Sequence, residues 1–420
     1  MRNDVSAHID DLIDFVVDSP NSYHAAHTIA ARLDAAGFAR IDERQAFPGQ
    51  AGKYYLVRDG AVAAWLQPES LAPDASFRIV GTHTDSPALK VKPGDLPTSA
   101  GYAQLGVEIY GGMLLNSWLD RELGVAGRIA TRDGKMHLVR TGAIARVPQL
   151  AVHLDRSVND ALKLDRQQHM QPVVAMLPGG DVWAHLCNLA GISPADVTGH
   201  DLFCFDVARP ARFGLAGEFL ASGRLDNLLS THAALTAIES AETGDDVVVW
   251  CAFDHEEVGS ATSSGAAGPL LEDVLTRIAS VAGLDLDGTR AMLARSSCIS
   301  ADSGHAIPPN YPGHPDPVVR PLLNHGPLLK LNASQRYASD AVGSAIWQAA
   351  CDRAGVPTQP FVSNNSMPCG STIGPITATR LGITTVDVGA PILSMHSARE
   401  MCGVEDPYHL ARAVAAYWAD

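Results

Sequence analysis

The sequence predicts an α/β fold, a mostly parallel sheet flanked by helices and interrupted by a β-rich insertion. Two features carry that expectation. Four short apolar, β-rich runs, at 77–80, 247–253, 296–301 and 384–388, stop at a glycine or a polar cluster and alternate with helical patterns. From about residue 95 to 215 the pattern changes to brief β-like pieces separated by turn signals.

The elements follow in order. Val5, Ile9, Leu12, Ile13 and Val16 recur at helical spacing, and residues 22–36 do the same with Ile29 and Leu33, stopping at Gly37. The run at 77–80 reads as a buried strand. The inserted region shows β-like pieces at 107–110, 127–130 and 136–139, the turn Arg132-Asp133-Gly134, and a Pro/Gly-rich stretch at 178–180. Helical patterns at 225–242, 269–282, 338–354 and 407–419 separate and follow the remaining strands. The expected organisation is one discontinuous unit, 1–94 with 216–420, and one inserted unit, 95–215.

Composition excludes several classes of function. The 420 residues are 46% hydrophobic and 18% charged, enough apolar content for a packed core. With 31 basic and 46 acidic side chains the net charge is −15, a field that repels phosphate backbones and anionic lipid. Neither nucleic acid nor membrane is expected as a partner. Asp10, Asp11 and Asp14 interrupt the stretch where a signal peptide needs an apolar core, and no apolar run approaches the roughly 20 residues of a membrane span. A cytoplasmic location is expected. The seven cysteines are odd in number and form no CxxC pair, so buried reduced thiols are expected. No GxSxG elbow and no GxxxxGK[ST] loop occurs.

Chemistry concentrates where strands end. His83 and Asp85 stand in HxD spacing, which on extended chain turns both side chains to one side, so the carboxylate can orient the imidazole. Alone, that pair reads first as a surface histidine beside a turn aspartate. Asp226 opens a helical pattern, where alone it would compensate the helix dipole. Asp254-His255-Glu256-Glu257 crowds charge at a strand end, and adjacent carboxylates can divide labour between metal binding and general base catalysis. It is not an HExxH motif, because Gly259 stands where the second histidine would be. Asp302 with His305, and His396, follow two further strand ends. Ligands of parallel α/β sheets gather at the carboxyl ends of strands. His83, Asp226, Glu257, Asp302 and His396 therefore form a candidate ligand set for two metal ions sharing one carboxylate. Mixed nitrogen and oxygen donors suit zinc, two ions per subunit, with manganese or cobalt as substitutes.

These segments carry a resemblance. GTHTDSPALKVKP at 81–93, YGGMLLNSWLDRELGVAGRI at 110–129, HLDR at 153–156, SGRLDN at 222–227, DHEEVGS at 254–260, ISADSGHA at 299–306, LKLNASQRYASD at 329–340, PCGSTIGPI at 368–376 and MHSARE at 395–400 span almost the whole chain. In that order they resemble the aspartyl aminopeptidases, cytosolic two-metal exopeptidases of zinc-exopeptidase-like fold. The resemblance implies release of N-terminal Asp or Glu from peptides by attack of a metal-bound water. It pairs His83 with Glu257 on one metal and Asp302 with His396 on the other, with Asp226 bridging. Glu256 would be the general base and Asp85 would orient His83. Lys330 and Tyr337 would contact the substrate's acidic side chain. His153 resembles a histidine that the inserted unit, a β-rich dimerisation or lid domain, supplies to a neighbouring subunit, with direct metal ligation as the other reading. Homodimers building a dodecamer are implied too. One departure is Ser366, where relatives commonly have an aspartate.

Two other readings compete. The same five ligands would serve a two-metal aminopeptidase or deacylase acting on neutral residues, which only the pocket would distinguish. A non-catalytic metal-binding shell protein would leave Glu256 and Asp85 without a task.

Overall fold

The computed structural model describes residues 2–419. Its centre is a nine-stranded mixed sheet in the order Ala39–Arg40, Gly52–Arg58, Ala61–Gln67, Val247–Phe253, Phe77–His83, Ser297–Ala301, Thr384–Gly389, Leu328–Leu331, Gln359–Val362. The four strands from Val247–Phe253 to Thr384–Gly389 run parallel to one another. They are the four apolar runs of the sequence.

Their side chains alternate between two cores, as the pleat requires. Val80, Trp250, Ala252, Ile299 and Val386 face one layer of helices, Arg2–Asp18, Ser22–Ala35, Leu225–Glu239, Ala341–Ala354 and Asp406–Trp418. Phe77, Ile79, Val249, Cys251 and Cys298 face the other, Leu270–Val281, Leu286–Arg295 and Ile373–Leu381. A strand buried on both faces reads as a continuous apolar run, which is why these four were visible in sequence.

A second sheet, Met136–Arg140, Leu123–Thr131, Val197–Asp206, Ala88–Val91, Val107–Tyr110, is antiparallel throughout and has its own core around Leu123, Val125, Ile129 and Leu202. Ala88–Val91, upstream of residue 95, hydrogen-bonds into it between Val197–Asp206 and Val107–Tyr110. All six cysteines on or beside the strand and helix cores are buried, and Cys369 is half-buried. Among the described residues no helix is long and apolar enough to cross a membrane.

Candidate active site

Parallel strands point their carboxyl ends to one edge, and the register of this sheet aligns those ends. Phe253 pairs with His83, Ser300 with Gly81 and Ala301 with Val388. The residues that follow, Asp85, Glu256, Glu257 and Asp302, are thereby brought together. Asp226 joins them from the start of Leu225–Glu239, and His396 from the turn between Pro391–Leu393 and Glu400–Gly403. Arg224, His255 and His396 have left-handed backbones (φ 58°, 64° and 66°), strain stored beside the cluster.

Three groups of metal-capable atoms result, each within 4.8 Å: His83 with Asp226 and Asp302, Asp226 with Glu257 and His396, and His83 with Glu256 and Glu257. The two oxygens of Asp226 face opposite ways. Oδ1 lies 3.5 Å from His83 Nε2 and Oδ2 3.5 Å from His396 Nε2. His83 Nε2 is 3.7 Å from Asp302 Oδ1, and His396 Nε2 is 3.3 Å from Glu257 Oε2. Most of these separations exceed a hydrogen bond. They match the edge of a zinc tetrahedron, about 3.3 Å for ligand distances near 2.05 Å. Asp226 Oδ1 and Glu257 Oε1 are buried without any hydrogen-bond partner, so the donor set fits a bound cation.

This geometry corrects the expected pairing. His83 groups with Asp302 as well as with Glu257, while His396 groups with Glu257 and shares no group with Asp302; Asp226 turns one oxygen to each histidine. Spacing along the chain carries no information about which strand end faces which.

Electrostatics point the same way. Burial, reinforced by Asp302, Asp226 and Asp85, pushes Glu256 up to about 8, and burial with Asp226 and Glu256 pushes Glu257 well above the carboxylate range. Burial opposes charge on His83, but Asp226, Asp302 and Asp85 override it and raise its pKa; in the same way Asp226 lifts His396 to about 9. The acids thus favour positive charge on both imidazoles, the sign of charge that a metal ion brings. Metal binding releases protons from imidazole ligands, so such a cluster would bind its cation in a pH-dependent way.

The second imidazole nitrogens have partners that fix them: Nδ1 of His83 lies 3.1 Å from the Asp85 carbonyl and 3.4 Å from Asp85 Oδ1, and Nδ1 of His396 lies 3.0 Å from the Gly112 carbonyl. Asp85 also receives the Tyr110 hydroxyl at 2.7 Å. Gly112, Tyr110 and Glu400 were not singled out from sequence. Tyr110 and Glu400 sit inside the motifs quoted above, yet each acts through main chain or through another side chain, which leaves no spacing signature.

A cavity of about 350 Å³ opens over the cluster, lined by Asp226, Glu256, Glu257, Asp302 and His396 and by Lys330, Tyr337, His305 and Ser371. Lys330 is 1% exposed, donates to the Ser303 carbonyl at 2.7 Å and lies 5.4 Å from the centre of the Tyr337 ring. Ser366 is exposed on a turn, donating its N–H to Asn364 Oδ1, and does not line the cavity. His153 sits on an exposed turn, in none of the metal-capable groups among the described residues. The reading of His153 as a ligand for its own chain's metals is therefore corrected: the strand-end edge recruits the five others, and the turn at 151–154 is not part of it.

Comparison with known proteins shows the family. A family model described as aminopeptidase I zinc metalloprotease (M18) matches residues 15–418. The chain is 50% identical over 419 residues to a probable M18 family aminopeptidase 2 of Streptomyces coelicolor, covering 98% of this chain and 97% of the relative. It is 41% identical to a counterpart from Pseudomonas aeruginosa, with 97% of each chain covered. Among solved structures, the complex of Ape4 and Nbr1 contains a chain that matches with a TM-score of 0.95 at 33% identity, covering 99% of this chain and 86% of that one. Yeast aminopeptidase 1 matches with a TM-score of 0.87 at 28% identity, over 99% and 97%. Mixed nitrogen and oxygen donors gathered at one sheet edge and a family match along nearly the whole length lead to one conclusion: the chain belongs to the aminopeptidase I family of zinc metalloproteases, M18, and zinc is its cofactor.

Proposed function

We propose that this aminopeptidase releases N-terminal Asp or Glu from peptides. Lys330 carries the reading. Its ammonium is buried in the wall of the cavity that holds the acidic cluster, and its one hydrogen bond goes to a neutral carbonyl. Among the described residues no carboxylate pairs with it. Asp387 acts on it only through space, without a contact ion pair; a buried cation so placed is costly, and the carboxylate of a substrate side chain would neutralise it.

Two zinc ions held by His83, Asp226, Asp302, Glu257 and His396 would lower the pKa of water toward about 7 and polarise the scissile carbonyl. Glu256 would take the proton of the attacking water and return it to the leaving amine. Asp85 would hold His83 and the Glu256–Glu257 main chain in register with them. Tyr337 would close the pocket beside Lys330. A local cation can dominate such a pocket despite the −15 net charge, since screening reaches only about 8 Å at physiological salt.

The inserted unit, 95–215, would pair two subunits, with dimers building a dodecamer like that of S. cerevisiae mApe1. Leu150, Val152 and Leu154 are exposed around His153, and a partner would cover them and receive His153 near its own cavity.

The deciding experiment is Lys330→Ala assayed on Asp-, Glu-, Ala- and Leu-initiated substrates. The acidic preference should collapse while turnover of neutral substrates is kept. An unchanged preference, or a wild type that favours neutral residues, refutes the acidic pocket.

A further inference from the structure

We infer that Glu400 is a positioning residue that fixes one of the two cation subsites, the Asp226–Glu257–His396 group, more than the other. The inference rests on the metal reading above. Glu400 is buried on the strand Glu400–Gly403, opposite Ser222. Its two carboxylate oxygens accept different main-chain N–H groups: Oε1 that of His396 at 2.7 Å, Oε2 that of Asp226 at 3.0 Å. One side chain thus spans two ligands that are distant in sequence and face each other across 3.5 Å. The third member of the group hangs the same way, Glu257 donating its N–H to Asp85 Oδ2 at 3.1 Å. All three ligands of this subsite are suspended from buried carboxylates.

The other subsite is held differently. Its two unshared ligands rest on the sheet: His83 ends a strand paired to Phe253, and the Asp302 N–H donates to the Val388 carbonyl at 3.0 Å. Asp226 is shared, but it is also anchored through its carbonyl, which accepts the Ser86 hydroxyl at 2.6 Å. His396 has less support. It lies on a left-handed turn outside any strand or helix, tied by Glu400, by its own carbonyl to the Leu114 N–H and by Gly112. Losing Glu400 therefore frees His396 first.

The test is zinc titration of the metal-stripped full chain against a competing chelator. Wild type should show two sites. In Glu400→Gln the amide turns a donor toward one of the two N–H groups, and one site should weaken about tenfold or more, as is typical for groups that orient ligands. The other should stay within about threefold of wild type on the same basis. Glu400→Asp keeps the charge but is too short to reach both N–H groups, and should give the same asymmetric loss if Glu400→Gln folds poorly. Combining either variant with His396→Ala should add little, whereas combining it with Asp302→Ala should add its full effect. Equal weakening of both sites, or of neither, overturns the inference. A wild type that takes up no zinc overturns the metal reading, and this inference with it.

Discussion

Glu256 donates its backbone N–H to Asp85 Oδ1 at 3.0 Å, across 171 positions of sequence. With Glu257 bound to Oδ2 of the same carboxylate, both glutamates are aimed by one residue through their main chain. Either side chain can therefore be altered while its neighbour stays in place. Glu256→Gln should retain zinc at the wild-type stoichiometry by elemental analysis and lose turnover by about 10²- to 10⁴-fold, the range for a general base. Comparable loss of zinc would make Glu256 a ligand.

Asp226 offers one oxygen to each histidine, so its removal should strip both subsites together. Asp226→Ala is expected to carry far less than one ion per chain after dialysis, whereas His396→Ala should keep one. Retention of a full pair in Asp226→Ala would end the idea of a shared carboxylate.

The buried Asp387 carboxylate ties two walls of the cavity, accepting the Ala338 N–H and the Thr372 hydroxyl, both at 2.6 Å. A Cβ at Gly374 would overlap both of its oxygens. Gly374→Ala should cost about 1–3 kcal/mol in urea unfolding, the usual range for overpacking a tight site. It should also raise KM more than it lowers kcat, because Tyr337 and Ser371 line the cavity on either side.

His8 packs against His232 with ring centroids 4.7 Å apart, and burial, helped by His232 and Arg32, depresses its pKa to about 3. His232, buried and bonded to Asp11, is shifted the same way. The unfolded chain takes up a proton at each near 6.5, whereas the folded chain does so near 3 at His8 and at a lowered pH at His232. Stability that is full above 6.5 should fall as pH drops toward 3, by up to about 1.4 kcal/mol per pH unit per group. His8→Gln should flatten that slope in urea titrations of metal-free protein between pH 6.5 and 4; an unaltered slope would show that His8 is protonated in the fold.

Six cysteines are buried and none is disulfide-bonded, leaving Cys369 on the loop before the cavity wall as the accessible thiol. A maleimide should label the native protein once, at Cys369, and seven times in urea. Faster labelling of a second cysteine would mean that a core opens locally.

The parallel strands were legible because each is buried on two faces and so keeps an unbroken apolar run. The hairpin Gly52–Arg58 and Ala61–Gln67 was not, although Asp59-Gly60 marks its turn: the first strand mixes Lys, Tyr and Arg with apolar residues, and the second, buried throughout, is rich in alanine, which carries little strand preference. Helix Ile373–Leu381 escaped notice because Gly374 and Pro375 occupy its first turn. Within the site, His83, Glu257 and Asp302 stand out in sequence because they end or follow apolar strands, whereas Asp226 opens a helix and His396 lies on a turn. Their grouping could not be read off, since it depends on the order of strands in the sheet. Glu400 offers no signal at all, because it binds peptide N–H groups that every sequence possesses.

His83 lies in the first fifth of the chain and His396 close to its end, yet both face the same carboxylate. On the proposed reading, a polypeptide still emerging from the ribosome lacks a complete zinc cage until His396, more than three hundred positions after His83, has been added. Peptide-cleaving power would then wait until both halves of the discontinuous unit had been made, which spares other nascent chains from an enzyme made among them.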